Sequence, residues 1–373
     1  LMKVAVVHDY LTQRGGAERV VLTILKAFPT AMLYTSLYRP EGTFPEFRNV
    51  RLRPLALNRL PPLRRHHRVA MPLLAPAFSR LKVAADVTVC SSSGWAHGVR
   101  TFGRKVVYCH TPARWLYQPR LYLGTRHVFQ YGLLNLLAPG LRRWDREAAS
   151  TADTYLTQSS VVRDRIRACY GIDAEVLPAP YRLSATHSRM PIAGLAPGFF
   201  LCVSRLLPYK NVDAVIAAFA DLPDRLVVVG DGPEYARLRH AATGNVRLIR
   251  SVTDEQLAWL YATSEGVVAA SYEDYGLTVL EAAAFGKPTA VLRWGGFLDT
   301  VREHETGIFF DRPEPPEIRG AVERLKRTQF DARALQTHAQ MYSEERFVSR
   351  LRGIVLRESG TSLEATVREE MVH

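Results

Sequence analysis

The chain has 373 residues, 47% of them hydrophobic and 23% charged, with four cysteines and a formal net charge of +13. That length suits two domains of ordinary size, and no run of eighteen apolar residues is present, which excludes a membrane-spanning helix as a reading of the sequence. Cys90, Cys109, Cys169 and Cys202 include no Cys-x-x-Cys pair, so a disulfide framework gives way to free thiols in a reducing cytoplasm.

The chain opens on a strand at residues 3–8, too short an apolar run for a signal peptide. A Gly15-Gly16 turn and an amphipathic helix over 17–28 follow. Strand, glycine pair and helix begin a Rossmann-like unit, although the Gly-x-Gly-x-x-Gly fingerprint is absent. Strands are expected over 31–37 and 50–52. The next stretch is strongly basic. From Phe47 to Ala85 there is no acidic residue, while Arg48, Arg51, Arg53, Arg59, Arg64, Arg65, Arg68, Arg80 and Lys82 accumulate among leucines. Arg48 to Lys82 reads as an interfacial segment on an anionic membrane surface. The plainer reading is a core-packed helical region with solvated arginines, and no nucleic-acid motif favours a third. Charge is uneven along the whole chain: residues 1–190 carry 28 Lys and Arg against 11 Asp and Glu, residues 191–373 carry 21 against 25. The first half is therefore the one expected to meet an anionic partner.

Strands over 86–91 and 105–109 come next. The second runs into Cys109-His110-Thr111-Pro112-Ala113-Arg114. His110 stands where a strand gives way to a loop, the place for a ligand-facing group in an open α/β sheet; a structural histidine is the other reading. A helix over 131–149, a strand over 154–157, a helix over 160–169 and a strand over 174–177 complete a domain spanning 1–180. Residues 181–198, rich in Ser, Thr, Pro and Gly, read as a linker.

A second domain over 199–342 restarts the pattern with a strand at 199–203. Arg205 and Lys210 then bracket a turn before a helix over 212–220. Two cations beside free helix N-terminal amides would hold a diphosphate. Strands over 226–229 and 246–249 flank the turn Gly230-Asp231-Gly232-Pro233, read as structural. Thr253 and Gln256 form a capping box for the following helix. After a strand over 266–270, Glu273 to Gly276 fill a turn and residues 277–285 form a helix, ended by Gly286 and Pro288. A helix start at the carboxyl end of a parallel strand is an anion site. Glu273 and Glu281 are too far apart for a hydrolytic pair: eight residues of helix span about 12 Å, against roughly 5 to 9.5 Å for glycosidase carboxyls. Two jobs at two ends of one ligand fit better. Strands over 289–292 and 306–310 and helices over 317–326 and 343–357 follow, with a polar tail closing the 343–373 segment. No Asp-x-Asp, His-Glu-x-x-His or Walker loop occurs, so neither a metal nor a cofactor is expected.

Glu273, seven residues, Glu281, with Tyr275-Gly276 inside and Ala282-x-x-x-Gly286-x-Pro288 behind, resembles the donor signature of the retaining family 4 glycosyltransferases. The Glu-Asp-Tyr-Gly-Leu version is most similar to the GDP-mannose-dependent mannosyltransferase branch. The resemblance implies a GT-B fold of two Rossmann-like domains facing across a cleft, with the last helix crossing back to the first. It implies transfer of a hexose, with retention, to a hydroxyl acceptor in the cytoplasm or at the inner face of the membrane, without metal. Arg205 and Lys210 would clamp the diphosphate with the amides of Leu277 and Thr278. Glu281 would bind ribose, and Glu273 with the backbone of Tyr275 and Gly276 would bind sugar hydroxyls. His110 would lie against the transferred sugar, with Arg114 in the same loop, and Gly15 and Gly16 would touch phosphate or acceptor. The branch usually has an acid near the place that Gln118 occupies. Related enzymes set the loop holding Arg250 beside the base, where an arginine can pair with guanine O6 and N7 or simply face solvent. The same fold with another donor (a UDP- or ADP-sugar), a nucleotide-sugar 2-epimerase of the same fold and a non-enzymatic protein for anionic lipid or nucleic acid stay open as alternatives.

Overall fold

The computed structural model describes residues 2–65, 67–118 and 128–360, with residues 67–69, 72 and 128–136 described as backbone. From residue 361 on, the tail expected after Glu358 lies outside the described residues, as do the side chains of Arg68 and Val69. Two compact units are present. One runs to Pro178 and takes in the chain again from Glu345; the other is Ala179–Glu344.

The first unit is built on a seven-stranded parallel sheet of order β3-β2-β1-β5-β7-β8-β9. Its strands are β1 Val4–His8, β2 Met32–Thr35, β3 Leu52–Pro54, β5 Val87–Ser92, β7 Arg104–Cys109, β8 Thr154–Thr157 and β9 Glu175–Val176, while β4 Lys82–Val83 and β6 Arg100–Thr101 pair separately. Val87–Ser92 is buried at every position, as a parallel strand covered on both faces requires. The first helix, Gly16–Ala27, turns Val20, Val21, Ile24 and Leu25 inward, an apolar stripe at helical spacing.

The basic stretch folds as the turn Ala56–Arg59 and the helices Pro61–Arg65 and His67–Arg80. Leu63, Leu74 and Phe78 are buried in the core, with Leu55, Leu57 and Met71 packed beside them. Much of the apolar surface expected to face a membrane is thus committed inward. Among the described residues, Leu60 and Leu73 are the large apolar side chains of the segment that remain exposed, at 52% and 44%. The C-terminal helix Glu344–Glu358 docks on this unit through Phe347, Leu351, Ile354 and Val355. Phe347 meets Tyr108 edge-on at 5.6 Å, and Arg350 reaches Glu175 at 3.0 Å.

The second unit carries a six-stranded parallel sheet of order β12-β11-β10-β13-β14-β15: β10 Phe200–Val203, β11 Leu226–Val229, β12 Val246–Ile249, β13 Gly266–Ala269, β14 Thr289–Leu292 and β15 Gly307–Phe310. Strand order reverses direction between β10 and β13, and in the first unit between β1 and β5. In open α/β sheets the crevice at such a switch point, beyond the carboxyl ends of the strands, takes the ligand. Residues 181–198, expected as a linker, run along the second unit instead. Leu183 is fully buried there and Ile192 and Leu195 pack on the same core, because apolar residues at those three places outweigh a loop-like composition. The helix Ala332–Gln340 has no counterpart among the elements expected from the sequence, and neither have the short helices Arg114–Tyr117 and Phe297–Thr300; Asp331 caps the first, and its Leu335 and Ala339 are buried.

Candidate functional site

In the second unit the loop after β10 and the turn after β13 are stitched together. Asn211 Nδ2 donates to the Ala270 carbonyl at 2.8 Å, from a left-handed backbone with φ of 52°. Lys210, 8% exposed, forms an ion pair with Glu273, whose Oε1 also accepts from Ser271 Oγ at 3.3 Å. The Lys210 ammonium lies 5.0 Å from the Tyr209 ring centroid. Two residues with separate expected duties are therefore joined. An ammonium has three N–H donors and a carboxylate about four acceptor sites, so the pair leaves both groups with capacity for a ligand.

Arg205 is exposed on the same loop, and makes no side-chain hydrogen bond or ion pair among the described residues. The Gly230–Gly232 turn buttresses the loop: Leu206 N donates to Asp231 O at 2.9 Å and Glu234 N to Leu206 O at 3.2 Å. A Cβ on Gly230 would sit 1.8 Å from the Ser204 carbonyl oxygen. No other residue type permits that approach, which gives the Gly-Asp-Gly turn its structural reason.

The helix Leu277–Ala284 begins at Gly276, with φ of 84° and no side-chain cap. Its first N–H groups are open to a ligand, at the positive end of the dipole. Tyr275 is buried and donates its hydroxyl to the Ala179 carbonyl at 2.6 Å, which fixes the turn. Gly296 N donates to the Glu273 carbonyl at 3.0 Å. Leu277 and Thr278 are half-buried at the helix start.

Glu281 lies on the same helix and is half-buried. Its Oε2 accepts from the Tyr261 hydroxyl at 2.9 Å, and the backbone N–H groups of Arg182 and Leu183 point to it as well. Burial nonetheless pushes this carboxyl above its usual range, against the Tyr261 hydrogen bond and the Arg182 charge. Arg250 is exposed; Nε donates to Asp231 Oδ1 at 3.0 Å and the guanidinium covers Tyr235 at 4.4 Å. It is held at the edge of the Gly-Asp-Gly turn rather than lying loose in solvent.

In the first unit His110 follows β7 and is 6% exposed. Its Nε2 lies 2.8 Å from Ser91 Oγ, and Ser91 Oγ lies 3.1 Å from His8 Nδ1. His8 Nδ1 is also 3.1 Å from the Ser91 carbonyl oxygen, which only accepts. His8 therefore carries its proton on Nδ1. The Ser91 hydroxyl, receiving from His8, donates to His110 Nε2. A neutral His110 then keeps its own proton on Nδ1, an N–H for which no partner exists among the described residues. Burial, helped by the nearby His8 charge, drives the His110 pKa down to about 3. Buried Glu18, 3.9 Å from His8 Nε2, raises the His8 pKa against burial, and its own carboxyl is held below the ordinary range. Gln13 Nε2 donates to Glu18 at 3.0 Å.

His8, Glu18 and Ser91 went unassigned in the sequence; the signal available was a histidine closing β1 and an acid in the first turn after Gly15-Gly16. Gly15 is the extended N-cap of its helix, and Gly16 its first residue. A Cβ on Gly15 would lie 2.6 Å from Glu18 Oε2, so the glycine makes room for the buried carboxylate. Arg114 opens the short helix Arg114–Tyr117 and is half-buried. Among the described residues no group of three or more His, Cys, Asp or Glu could hold a metal ion, and no helix is long and apolar enough to cross a membrane.

Residues 14–184 match Glycosyltransferase Family 4, and residues 193–343 match Glycosyl transferases group 1. The two glycosyltransferase models between them account for residues 14–184 and 193–343, and the fold is GT-B. The chain is 31% identical over 211 residues to the D-rhamnosyltransferase WbpZ of Pseudomonas aeruginosa, covering 52% of this chain and 54% of that one. Over 173 residues it is 31% identical to a D-inositol 3-phosphate glycosyltransferase of Salinispora tropica, covering 40% of this chain and 36% of that one. It thus spans about half, or less, of the length of these curated relatives. Its fold is that of HepE from Anabaena, solved with UDP and glucose, at a TM-score of 0.69, 18% identity and coverage of 95% and 99% of the two chains. The sucrose-phosphate synthase of Thermosynechococcus elongatus superposes with a TM-score of 0.71 at 17% identity, covering 95% and 98%. The expected fold, two Rossmann-like α/β domains, is the one observed.

Proposed function

We propose that this glycosyltransferase moves a mannosyl group from GDP-mannose to a hydroxyl of a glycan, lipid-linked or small-molecule acceptor, with retention of configuration and without a metal. The observation that carries it is the uncapped start of the Leu277 helix beside the Lys210–Glu273 pair, with Arg205 unengaged on the adjoining loop. Cleavage of the sugar–phosphate bond leaves charge on the diphosphate. Two cations and the amides of Leu277 and Thr278 would stabilise it as it develops. Lys210, steadied by Glu273, has two N–H groups left for phosphate oxygens. Glu273 has acceptor capacity left for a sugar hydroxyl, alongside the backbone of Tyr275 and Gly276. Glu281 is assigned to the ribose and Arg250 to the base. His110 is assigned to substrate as a neutral N–H donor, with Gly15, Gly16 and Arg114 near acceptor or phosphate.

Mannose is favoured over other hexoses by one further point. D-rhamnose, named for the Pseudomonas relative, is 6-deoxymannose and shares its axial 2-hydroxyl. The lack of acid between Phe47 and Ala85 supports contact of the first unit with an anionic membrane surface. The deciding experiment is a thermal-shift panel of GDP-, UDP- and ADP-sugars, followed by mass spectrometry of acceptor mixtures and NMR of the product anomer. Stabilisation by GDP-mannose with a new α-mannoside supports the reading. A response to UDP-sugars alone reassigns the donor, and a released 2-epimer without acceptor overturns transfer.

A further inference from the structure

Beyond β3, away from the candidate site described above, the first unit has a cavity of about 630 Å³. Its wall includes Arg53 at the end of β3, Arg59 from the adjoining turn, Arg64 from the helix Pro61–Arg65 and Lys82 from β4. Tyr34 and Leu55 supply apolar wall between the cations. None of the four makes a side-chain hydrogen bond or ion pair among the described residues, and no carboxylate exists anywhere between Phe47 and Ala85 to offer one. Elsewhere on this molecule surface arginines are commonly matched, as Arg104 is by Asp153 at 2.5 Å and Arg293 by Glu303 at 2.9 Å. Four like charges around one hollow repel each other, and an anion with more than one oxygen offsets that repulsion through charge-assisted hydrogen bonds. The apolar wall disfavours a fully hydrated free ion. Exposed Leu60 lies next to Arg59 in sequence, and Leu73 lies on the helix that follows Arg64.

We propose that this cavity receives the phosphate headgroup of an anionic phospholipid, with Leu60 and Leu73 reaching the acyl boundary. It rests on the membrane-surface part of the functional reading above and is independent of the donor assignment. The cations supply the phosphate ligands, and two leucines supply the shallow apolar contact that a solvated arginine face would lack.

The test is co-sedimentation of the full chain with vesicles of phosphatidylcholine alone and of phosphatidylcholine with 30% phosphatidylglycerol. The chain should bind the second at least tenfold more tightly. The triple variant Arg53→Gln/Arg59→Gln/Arg64→Gln should lose roughly 100-fold in partitioning. The control Arg100→Gln/Arg143→Gln/Arg163→Gln removes equal charge from the same unit and should lose far less. Equal losses in the two triples would show a diffuse charge effect and overturn the site. Equal binding to both vesicle types would overturn it as well. Thermal stabilisation by glycerol 3-phosphate, lost in the triple variant but without vesicle binding, would reassign the cavity to a soluble phosphate ester. Melting of each variant with and without GDP-mannose runs in parallel, so failure of the donor assignment is seen separately. Should the triple variant fold poorly, Arg59→Gln and Lys82→Gln singly, both at exposed positions, carry the comparison.

Discussion

Ser91 Oγ sits 2.8 Å from His110 Nε2, and this one hydrogen bond decides which nitrogen of a neutral His110 carries the proton. The parallel register puts Ser91 opposite His8 on one side and Tyr108 on the other, so the hydroxyl is delivered by sheet geometry rather than by a loop.

The depressed pKa of His110 has a consequence for stability. The unfolded chain takes up a proton at this histidine near pH 6.5, while the folded chain waits until about pH 3. As pH falls through that window the unfolded state binds the extra proton, so stability is lost, by on the order of a few kcal/mol. His8 acts in the opposite sense. Its raised pKa gives stability present below about pH 6.5 and lost as pH rises through the folded value. Denaturant titrations at pH 7 and pH 5 should show the wild type weakening toward acid and His110→Gln weakening less. Equal slopes would mean that His110 is not the group being kept neutral.

Lys210→Ala removes the cation assigned to the leaving group and takes the ion-pair partner from Glu273. Transfer should slow by at least ~100-fold, with melting little changed. Lys210→Arg should recover part of the rate, since the charge returns with different geometry. Near-normal turnover in the alanine variant would break the clamp assignment.

Glu281→Ala should weaken GDP binding by roughly 10- to 100-fold, the loss of hydrogen bonds to a charged acceptor. Tyr261→Phe removes the 2.9 Å hydrogen bond that orients the carboxylate and should produce a smaller loss of the same kind. Calorimetry of GDP against both variants separates ribose binding from a purely structural carboxylate, which would alter melting and leave affinity intact.

Gly276→Ala meets two obstacles at once: φ of 84° and a Cβ 2.5 Å from the Phe297 ring. The helix start should shift, costing about 1–3 kcal/mol of stability and most of the GDP affinity. Gly171→Ala isolates the backbone contribution. It shares a positive φ of 72° but has nothing within 4 Å of the added carbon, so it should cost about 1 kcal/mol and leave GDP binding alone.

Local rules made much of this molecule readable. The Thr253–Gln256 capping box is present in full, with both hydrogen bonds formed. The helix at Leu277 starts where Gly276 breaks the extended run and stops at Phe285, beside Gly286 and Pro288. What stayed hidden depends on parallel pairing across long separations. Lys210 and Glu273 are 63 residues apart, and His8, Ser91 and His110 meet only through the β1-β5-β7 register. Composition misled at residues 181–198, where prolines and serines surround a few apolar anchors. Hydrophobic interleaving in the basic stretch left a membrane face and a core-packed helical region both open, and Leu63, Leu74 and Phe78 turn in.

The return of the helix Glu344–Glu358 to the first unit bears on how this protein can be recombined. The second unit is topologically an insertion between Pro178 and Glu345, not a carboxy-terminal module. A chimera that grafts a foreign second unit must splice at both junctions and keep the native Phe347 against Tyr108. Cutting once, near residue 178, would strip a covering helix from the strand that leads to His110 and leave its apolar face wet.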